Sequence, residues 1–161
     1  MFFWDQHKTI TSYYESLARN VCDTYDLTQM EYDILMFLYD NPQFNTAADI
    51  VKVRKSTKSH VSISLKDLET KRLVDRIQSP NNKKRIEIVL LDDAIPIIEA
   101  GKNAQKQFAK NVLSGLTEEE MQMCIQVFQK ICNNAAARLE LTIIAAILHY
   151  GMDVVGFYKA S

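Results

Sequence analysis

The alternation of apolar and polar positions between Asn45 and Leu91 predicts two helices followed by two strands. The first helix is expected to begin after Thr46, which can cap it, with Asp49 three residues later. A second and longer helix pattern starts at about Thr57. From Leu73 to Leu91 the pattern becomes strand, polar turn, strand. The predicted order is therefore helix, turn, helix, hairpin.

The second helix of this stretch has two faces of opposite character. At one hundred degrees per residue, Val61, Leu65 and Leu68 share one narrow face, which we expect to be buried. The opposite face carries Ser59, Ser62, Ile63, Lys66 and Thr70. With the element order, this predicts a winged helix-turn-helix, whose second helix lies in the DNA major groove. A solvated amphipathic helix is the commoner alternative.

The rest of the chain has mostly helical periodicity. A first helix is predicted over Phe2 to Tyr25, and a second begins with a capping box at Thr28 and Glu31 and ends at Asn41-Pro42. After the hairpin, two long helices are predicted to form an antiparallel pair. Their expected boundaries are Asp93 as the first N-cap, a first end near Ser114, a break at Gly115 and a second capping box at Thr117 and Glu120.

Composition supports a mainly α protein. Only four glycines and three prolines occur in 161 residues, a length that is enough for one domain with a real core. The three cysteines show no CxxC spacing and are expected to be core residues. No secretory signal is recognisable, because Asp5 directly follows the apolar start. The expected compartment is a reducing cytoplasm.

The positive charges of the chain are concentrated in one segment. Between Lys52 and Arg85, eleven Lys and Arg face only three acidic residues, so this segment carries a net charge of +8 in a chain whose total is −1. The remainder is therefore −9. A basic block confined to one module, with acidic flanks, is typical of a nucleic-acid-binding face.

Catalytic and metal sites find no support in the sequence. The three histidines are far apart and show no zinc-binding spacing, and the four glycines form no phosphate-binding loop. Ser59 and His60 are adjacent on a helix and point about one hundred degrees apart, so they would not meet as nucleophile and base. We expect no enzymatic activity, no metal and no cofactor.

The segment resembles the DNA-binding domain of the multiple-antibiotic-resistance regulator (MarR) family. No single motif is specific, but the order is collinear over about forty-five positions. Two departures are Arg54-Lys55-Ser56, where the family usually has apolar, Gly, apolar, and Asn82-Lys83, where it often has Asp then Arg. The matching positions are Thr46, Asp49, Thr57-Lys58-Ser59-His60-Val61-Ser62, Leu65, Leu68-Glu69, Lys71-Arg72-Leu73-Val74, Arg76, Pro80, Lys83, Lys84 and Leu90.

This resemblance implies a dimeric, sequence-specific DNA-binding transcriptional regulator, with repression as the expected direction. It implies one MarR-like domain over 1–161, with residues 28–91 as the winged-helix part and residues 1–26 and 93–140 as dimerisation helices. A homodimer would bind a pseudo-palindromic site in double-stranded DNA. The resemblance also implies a small aromatic effector bound between the dimerisation helices and the winged helix.

The predicted DNA-binding residues lie on the second helix and on the wing. They are Thr57, Lys58, Ser59, His60, Ser62, Ile63, Lys66, Arg76, Asn82, Lys83, Lys84 and Arg85. Two alternatives remain open at this stage. The basic face could instead bind an acidic protein, as a winged-helix protein–protein module, and the long helices could form a monomeric hairpin.

Residues 141–161 form an apolar extension whose role the sequence does not define. It is too short, and too interrupted by His149, Gly151 and Asp153, to span a membrane. An apolar segment of this kind needs a covering surface. It would continue the last helix into a dimer, fold back on its own subunit, or derive from an expression vector.

Overall fold

The computed structural model describes residues 2–80 and 82–138. The prediction of a mainly α protein with a two-stranded wing is confirmed, and the extension predicted for residues 141–161 lies outside the described residues. None of the helices in the described ranges is long and apolar enough to cross a membrane. The elements are α1 Phe2–Tyr25, α2 Gln29–Asp40, α3 Ala47–Arg54, α4 Lys58–Thr70, β1 Val74–Ser79, β2 Asn82–Leu90, a 3-10 turn Asp92–Ala94, α5 Ile95–Val112 and α6 Glu118–Arg138.

Reciprocal side-chain caps fix where three of these helices begin. At α2, the Thr28 hydroxyl accepts a hydrogen bond from the Glu31 amide at 3.2 Å, and the Glu31 carboxylate accepts one from the Thr28 amide at 2.6 Å. Two amide groups that the helix leaves without partners are thereby satisfied. The predicted capping boxes at Thr28–Glu31 and Thr117–Glu120 and the predicted cap at Thr46 are confirmed, and Thr46 forms a third box with Asp49.

The predicted start of α5 is wrong in detail. Asp93 does not cap the helix but lies inside the 3-10 turn Asp92–Ala94, which leads directly into Ile95. The Ala94 amide donates to the Leu91 carbonyl at 2.9 Å, and the Ala94 side chain is buried. The chain therefore begins to coil at Asp92, one residue before the position where the sequence pattern placed the cap, and the buried Ala94 side chain packs in the core.

The chain divides into two compact units between Ala104 and Gln105. In the first unit, α5 approaches α2 closely at Gly101, where an added Cβ would lie 2.5 Å from the Met36 sulfur and 3.1 Å from the Tyr32 ring. A larger residue at this position would therefore force the Met36 side chain to move. The largest fully buried side chains include Tyr32, Ile34, Leu35, Ile50, Val61, Leu65, Leu68 and Val74.

The β-hairpin is antiparallel and is attached to the loop before α3. Val74 pairs with Leu90 and Arg76 with Ile88, and the register shifts between Gln78 and Ser79 near the tip. The Ile88 amide donates to the Asn45 carbonyl at 2.7 Å. This bond holds the base of the hairpin beside the N-terminus of α3, so the wing has a defined direction relative to the helices.

The three cysteines differ in environment. Cys22 is buried, and burial together with the charges of Asp33 and Asp23 raises the pKa of its thiol, which makes it a poor nucleophile. Cys132 is half-buried, but Cys124 is exposed, so the prediction that all three are core residues is wrong for Cys124. Among the α6 side chains whose burial is described, Met121 is the one that is fully buried, and the helix therefore leaves Cys124 open.

Candidate nucleic-acid interface

Helix α4 has the two faces that its sequence predicts. Val61, Leu65 and Leu68 are buried, with exposed fractions of 1%, 1% and 0%. The side chains on the opposite face are all exposed, namely Ser59, Ser62, Ile63, Lys66 and Thr70. Since the inner face is fully covered within one chain, the outer face is available to a ligand along the whole helix.

The N-terminus of α4 follows a tight turn. Lys55 adopts a left-handed conformation with φ of 52°, which residues other than glycine seldom adopt. The Thr57 hydroxyl then accepts a hydrogen bond from the His60 amide at 3.3 Å and caps the helix. Lys58, the first residue of α4, is exposed beside amide groups that favour anionic oxygens.

The C-terminus of α4 is fastened to the loop between α1 and α2. Lys71 Nζ donates to the Asp26 carbonyl at 2.5 Å and lies 3.0 Å from Glu31 Oε1. Burial alone would raise the pKa of Glu31, but the hydrogen bonds from the Thr28 amide and from Lys71 outweigh it and lower that pKa. Lys71 therefore forms an ion pair within the protein instead of leaving an unpaired charge on the surface.

A second internal ion pair joins α2 to the end of α3. Arg54 Nη2 donates to Asp33 Oδ2, and Gln29 Nε2 donates to Asp33 Oδ1 at 2.9 Å. Burial raises the pKa of Asp33 above its usual value, and the nearby Arg54 offsets only part of this effect. Arg54 thus contributes to the packing of the helices around the turn.

The two wing arginines of the predicted site also have acidic partners. Arg76 Nε lies 3.0 Å from Glu69 Oε1 on α4. Arg85 Nε lies 3.2 Å from Glu87 Oε1, and Arg85 Nη2 donates to Asn45 Oδ1 at 2.9 Å. These contacts orient the wing relative to α3 and α4. Whether Arg76 and Arg85 also touch DNA stays a prediction.

The remaining cations of the basic segment are not neutralised by any part of the chain that the structure describes. At the wing tip, Gln78 Nε2 donates to the Lys83 carbonyl at 2.5 Å, and the Lys84 amide donates to Asn82 Oδ1 at 3.0 Å. These bonds shape the backbone and leave the lysine side chains exposed. The cations without an ion pair to a described residue are Lys52, Lys55, Lys58, Lys66, Arg72, Lys83 and Lys84.

Together these groups form a surface suited to a nucleic acid. The structure brings Lys58, the small hydroxyl side chains and Lys66 onto one helix, while Lys83 and Lys84 lie on a hairpin tied to the same helices. Small side chains allow close approach to base edges, and lysines contact phosphates. Within residues 2–80 and 82–138 there is no cluster of three or more His, Cys, Asp or Glu side chains that could hold a metal.

A cavity of about 290 Å³ lies where α2, the end of β2 and the start of α5 meet. Lys102 Nζ donates to the Tyr39 hydroxyl at 3.0 Å and lies 4.9 Å from the centre of its ring. Sequence analysis did not find this pair, because the two residues are 63 positions apart and belong to no motif. The cavity is lined by Tyr39, Leu90, Leu91, Asp92, Ile95, Ile98, Glu99 and Lys102.

Comparisons with known proteins agree with this geometry. Residues 25–85 match the family described as "MarR family". The chain is 27% identical over 108 residues to the uncharacterised HTH-type transcriptional regulator YdgJ of Bacillus subtilis (strain 168), a match that covers 67% of this chain and 65% of that protein.

Two solved structures of S. aureus MepR share the fold. MepR in complex with DNA aligns with a TM-score of 0.70 and 23% identity, over 84% of this chain and 96% of that one. MepR bound to ethidium bromide aligns with a TM-score of 0.58 and 24% identity, over 84% of this chain and 97% of that one.

Proposed function

We propose that this chain, which belongs to the MarR family of winged-helix proteins, is a homodimeric, sequence-specific transcriptional regulator. Its ligand would be a pseudo-palindromic site in double-stranded DNA, and its expected action is repression in the cytoplasm. The observation that carries the proposal is the exposed face of α4, with Lys58 and Lys66, beside a wing with Lys83 and Lys84.

The separation between paired and unpaired cations supports DNA as the ligand. Arg54, Lys71, Arg76 and Arg85 have acidic partners that hold the helices and the wing in place. Four of the unpaired lysines lie on the two elements that a winged helix presents to a duplex, namely Lys58, Lys66, Lys83 and Lys84. A framework of internal ion pairs that leaves α4 and the wing tip positively charged suits a polyanion of fixed shape.

Exposed apolar side chains on α6 support the homodimer. Four large side chains on this helix are at least 40% exposed, and Phe128 and Ile131 lie about one turn apart. Apolar patches of this kind mark association surfaces in soluble proteins. The four are Met123, Val127, Phe128 and Ile131.

The cavity at Tyr39 and Lys102 is our proposed place for the effector. It offers an aromatic ring, apolar side chains and a cation, which suit a small aromatic molecule. MepR, a protein of the same fold, has been solved with ethidium bromide, which is aromatic. A ligand that favours one arrangement of α5 against the winged helix would shift the population away from the DNA-competent form.

Selection of bound sequences from random duplex DNA tests this function. We expect enrichment of a pseudo-palindrome whose half-sites are spaced by roughly 10 base pairs. Replacing Lys83 and Lys84 by Ala should then weaken binding to all duplexes similarly. It should also flatten the salt slope by about 0.9 for each phosphate that the variant no longer neutralises. Retention of an acidic protein but of no duplex would favour the protein–protein module instead.

A further inference from the structure

Ile63 is the one large apolar side chain on the outer face of α4, and 59% of it is exposed. We propose that Ile63 contacts the 5-methyl group of a thymine in each DNA half-site and thereby selects that base. This inference rests on the proposed function. It adds a chemical identity for one base position, which the general DNA-binding assignment does not contain.

The side chains around Ile63 on this face are short or flexible, so the Ile63 side chain can approach a ligand. Ser59 lies one turn before it and Ser62 directly beside it, and both side chains are short and exposed. Lys66 is long enough to bend towards a phosphate. Ile63 is the sixth residue of α4 and so lies in the N-terminal half, which in helix-turn-helix proteins contacts base edges.

The Ile63 side chain is not part of the buried core. Val61, Leu65 and Leu68 supply the buried face of α4, and Ile63 points away from them. A single exposed isoleucine is ordinary on a surface that stays in water. On a surface that enters the major groove, the same side chain becomes covered, and its partner then affects the free energy of binding.

The chemistry of isoleucine decides which base it favours. It has no hydrogen-bond donor or acceptor, so any polar base atom that it covers is left without a partner at a cost in free energy. In the major groove, thymine alone among the four bases presents a methyl group. Burial of that methyl is worth about 0.8 kcal/mol, which corresponds to about a fourfold change in affinity.

Thymine-to-uracil replacement isolates this contact, because uracil pairs identically and lacks only the methyl group. The thymines of the half-sites in the selected duplex are replaced by deoxyuridine one at a time. The dissociation constants of wild type and Ile63→Ala are measured for each duplex at one salt concentration. We expect about a fourfold loss for wild type at one thymine in each half-site. Ile63→Ala should bind the thymine and uracil duplexes equally at that position.

Lys66→Ala is the matched control on the same helix face. It should weaken binding to the thymine and uracil duplexes alike, so that their ratio stays at about fourfold. A wild-type protein that is insensitive to uracil everywhere would overturn the inference while leaving the proposed function intact. So would an Ile63→Ala variant that keeps the loss. Failure to recover any preferred duplex would overturn both.

Discussion

Helices α4 and α6 are both amphipathic and follow well-formed side-chain caps, yet their apolar side chains differ in how far they are buried. In α4 the apolar stripe is completely covered within one chain, and the exposed side is polar apart from Ile63. In α6 Met121 is buried, while Met123 and Phe128 are 60% and 49% exposed. The apolar face of α4 is buried within one chain, whereas several large apolar side chains of α6 are exposed in the part of the chain that the structure describes.

The difference suggests which partner each helix has. A covered apolar stripe with a basic outer side suits a ligand that is polar and charged, such as DNA. An uncovered apolar stripe suits another apolar surface, and a second copy of the chain supplies one by symmetry. We therefore propose that α4 binds DNA and that α6 forms the contact between two copies of the chain, and substitutions on the two helices test each proposal.

The largest effect is expected from Leu65→Ala on α4. Because Leu65 is fully buried, the substitution should lower the free energy of unfolding by about 2–5 kcal/mol at every protein concentration. Met123→Ala on α6, where the side chain is exposed, should change it by less than about 0.5 kcal/mol in the monomer. Denaturant titrations measure both, and equal losses would contradict the contrast between the helices.

The next effect is expected from Phe128→Glu on α6. A carboxylate in an apolar contact is costly, so sedimentation should show a folded monomer. Affinity for a duplex with two half-sites should fall by about a hundredfold, because the second half-site no longer gains from linkage. Affinity for a single half-site should not change.

Gln129→Glu is the control for the added charge, since Gln129 is the exposed polar neighbour of Phe128. We expect this variant to stay dimeric and to bind the two-half-site duplex normally. Dimeric sedimentation of Phe128→Glu would show that the exposed stripe on α6 is not the contact between the two copies.

A moderate effect is expected from replacing both Lys58 and Lys66 on α4 by Ala. If each lysine binds one phosphate, a dimer of the double variant neutralises four fewer phosphates, and the slope of log affinity against log salt should flatten by about 3.6. Lys130→Ala removes an exposed lysine from α6 and should leave the slope unchanged. An unchanged slope in the α4 double variant would remove α4 from the DNA interface.

The smallest effect is a pH dependence at the anchored end of α4. The pKa of Glu31 is lowered from 4.5 in the folded chain, so its ionised form adds stability above that value, and this stability is lost as the pH falls through the lower folded pKa. Glu31→Gln should therefore lose less stability on acidification than wild type. Asp33 has a raised pKa, so Asp33→Asn should lose more. Unfolding titrations at several pH values would contradict this account if both variants changed in the same direction.

Local signals and long-range contacts explain what the sequence could and could not predict. The capping boxes and the two faces of α4 depend on residues three or four positions apart, so periodicity and caps were enough to find them. The partner of Lys71 lies 40 positions away at Glu31, and that of Arg85 lies 40 positions away at Asn45. No pattern in the chain links such residues, so the cations with internal partners could not be separated from the unpaired cations before the fold was known.

The predictions for Asp93 and Cys124 were wrong because a local pattern does not determine which surfaces pack together. Each matched a local pattern, a cap before a helix and a position on an apolar stripe. The chain already coils from Asp92, so Asp93 lies inside a 3-10 turn, and among the described residues Cys124 on α6 is exposed. Both outcomes depend on which surfaces meet in three dimensions, and a helical repeat does not contain that information.

The salt dependence of wild-type binding to the selected duplex tests the central assignment most directly. If Lys58, Lys66, Lys83 and Lys84 of two chains each contact a phosphate, log affinity should fall linearly with log salt with a slope of about −7. The same titration should saturate at two chains per duplex. A slope near zero, or saturation at one chain on an asymmetric site, would contradict the account of a dimer bound through α4 and the wing.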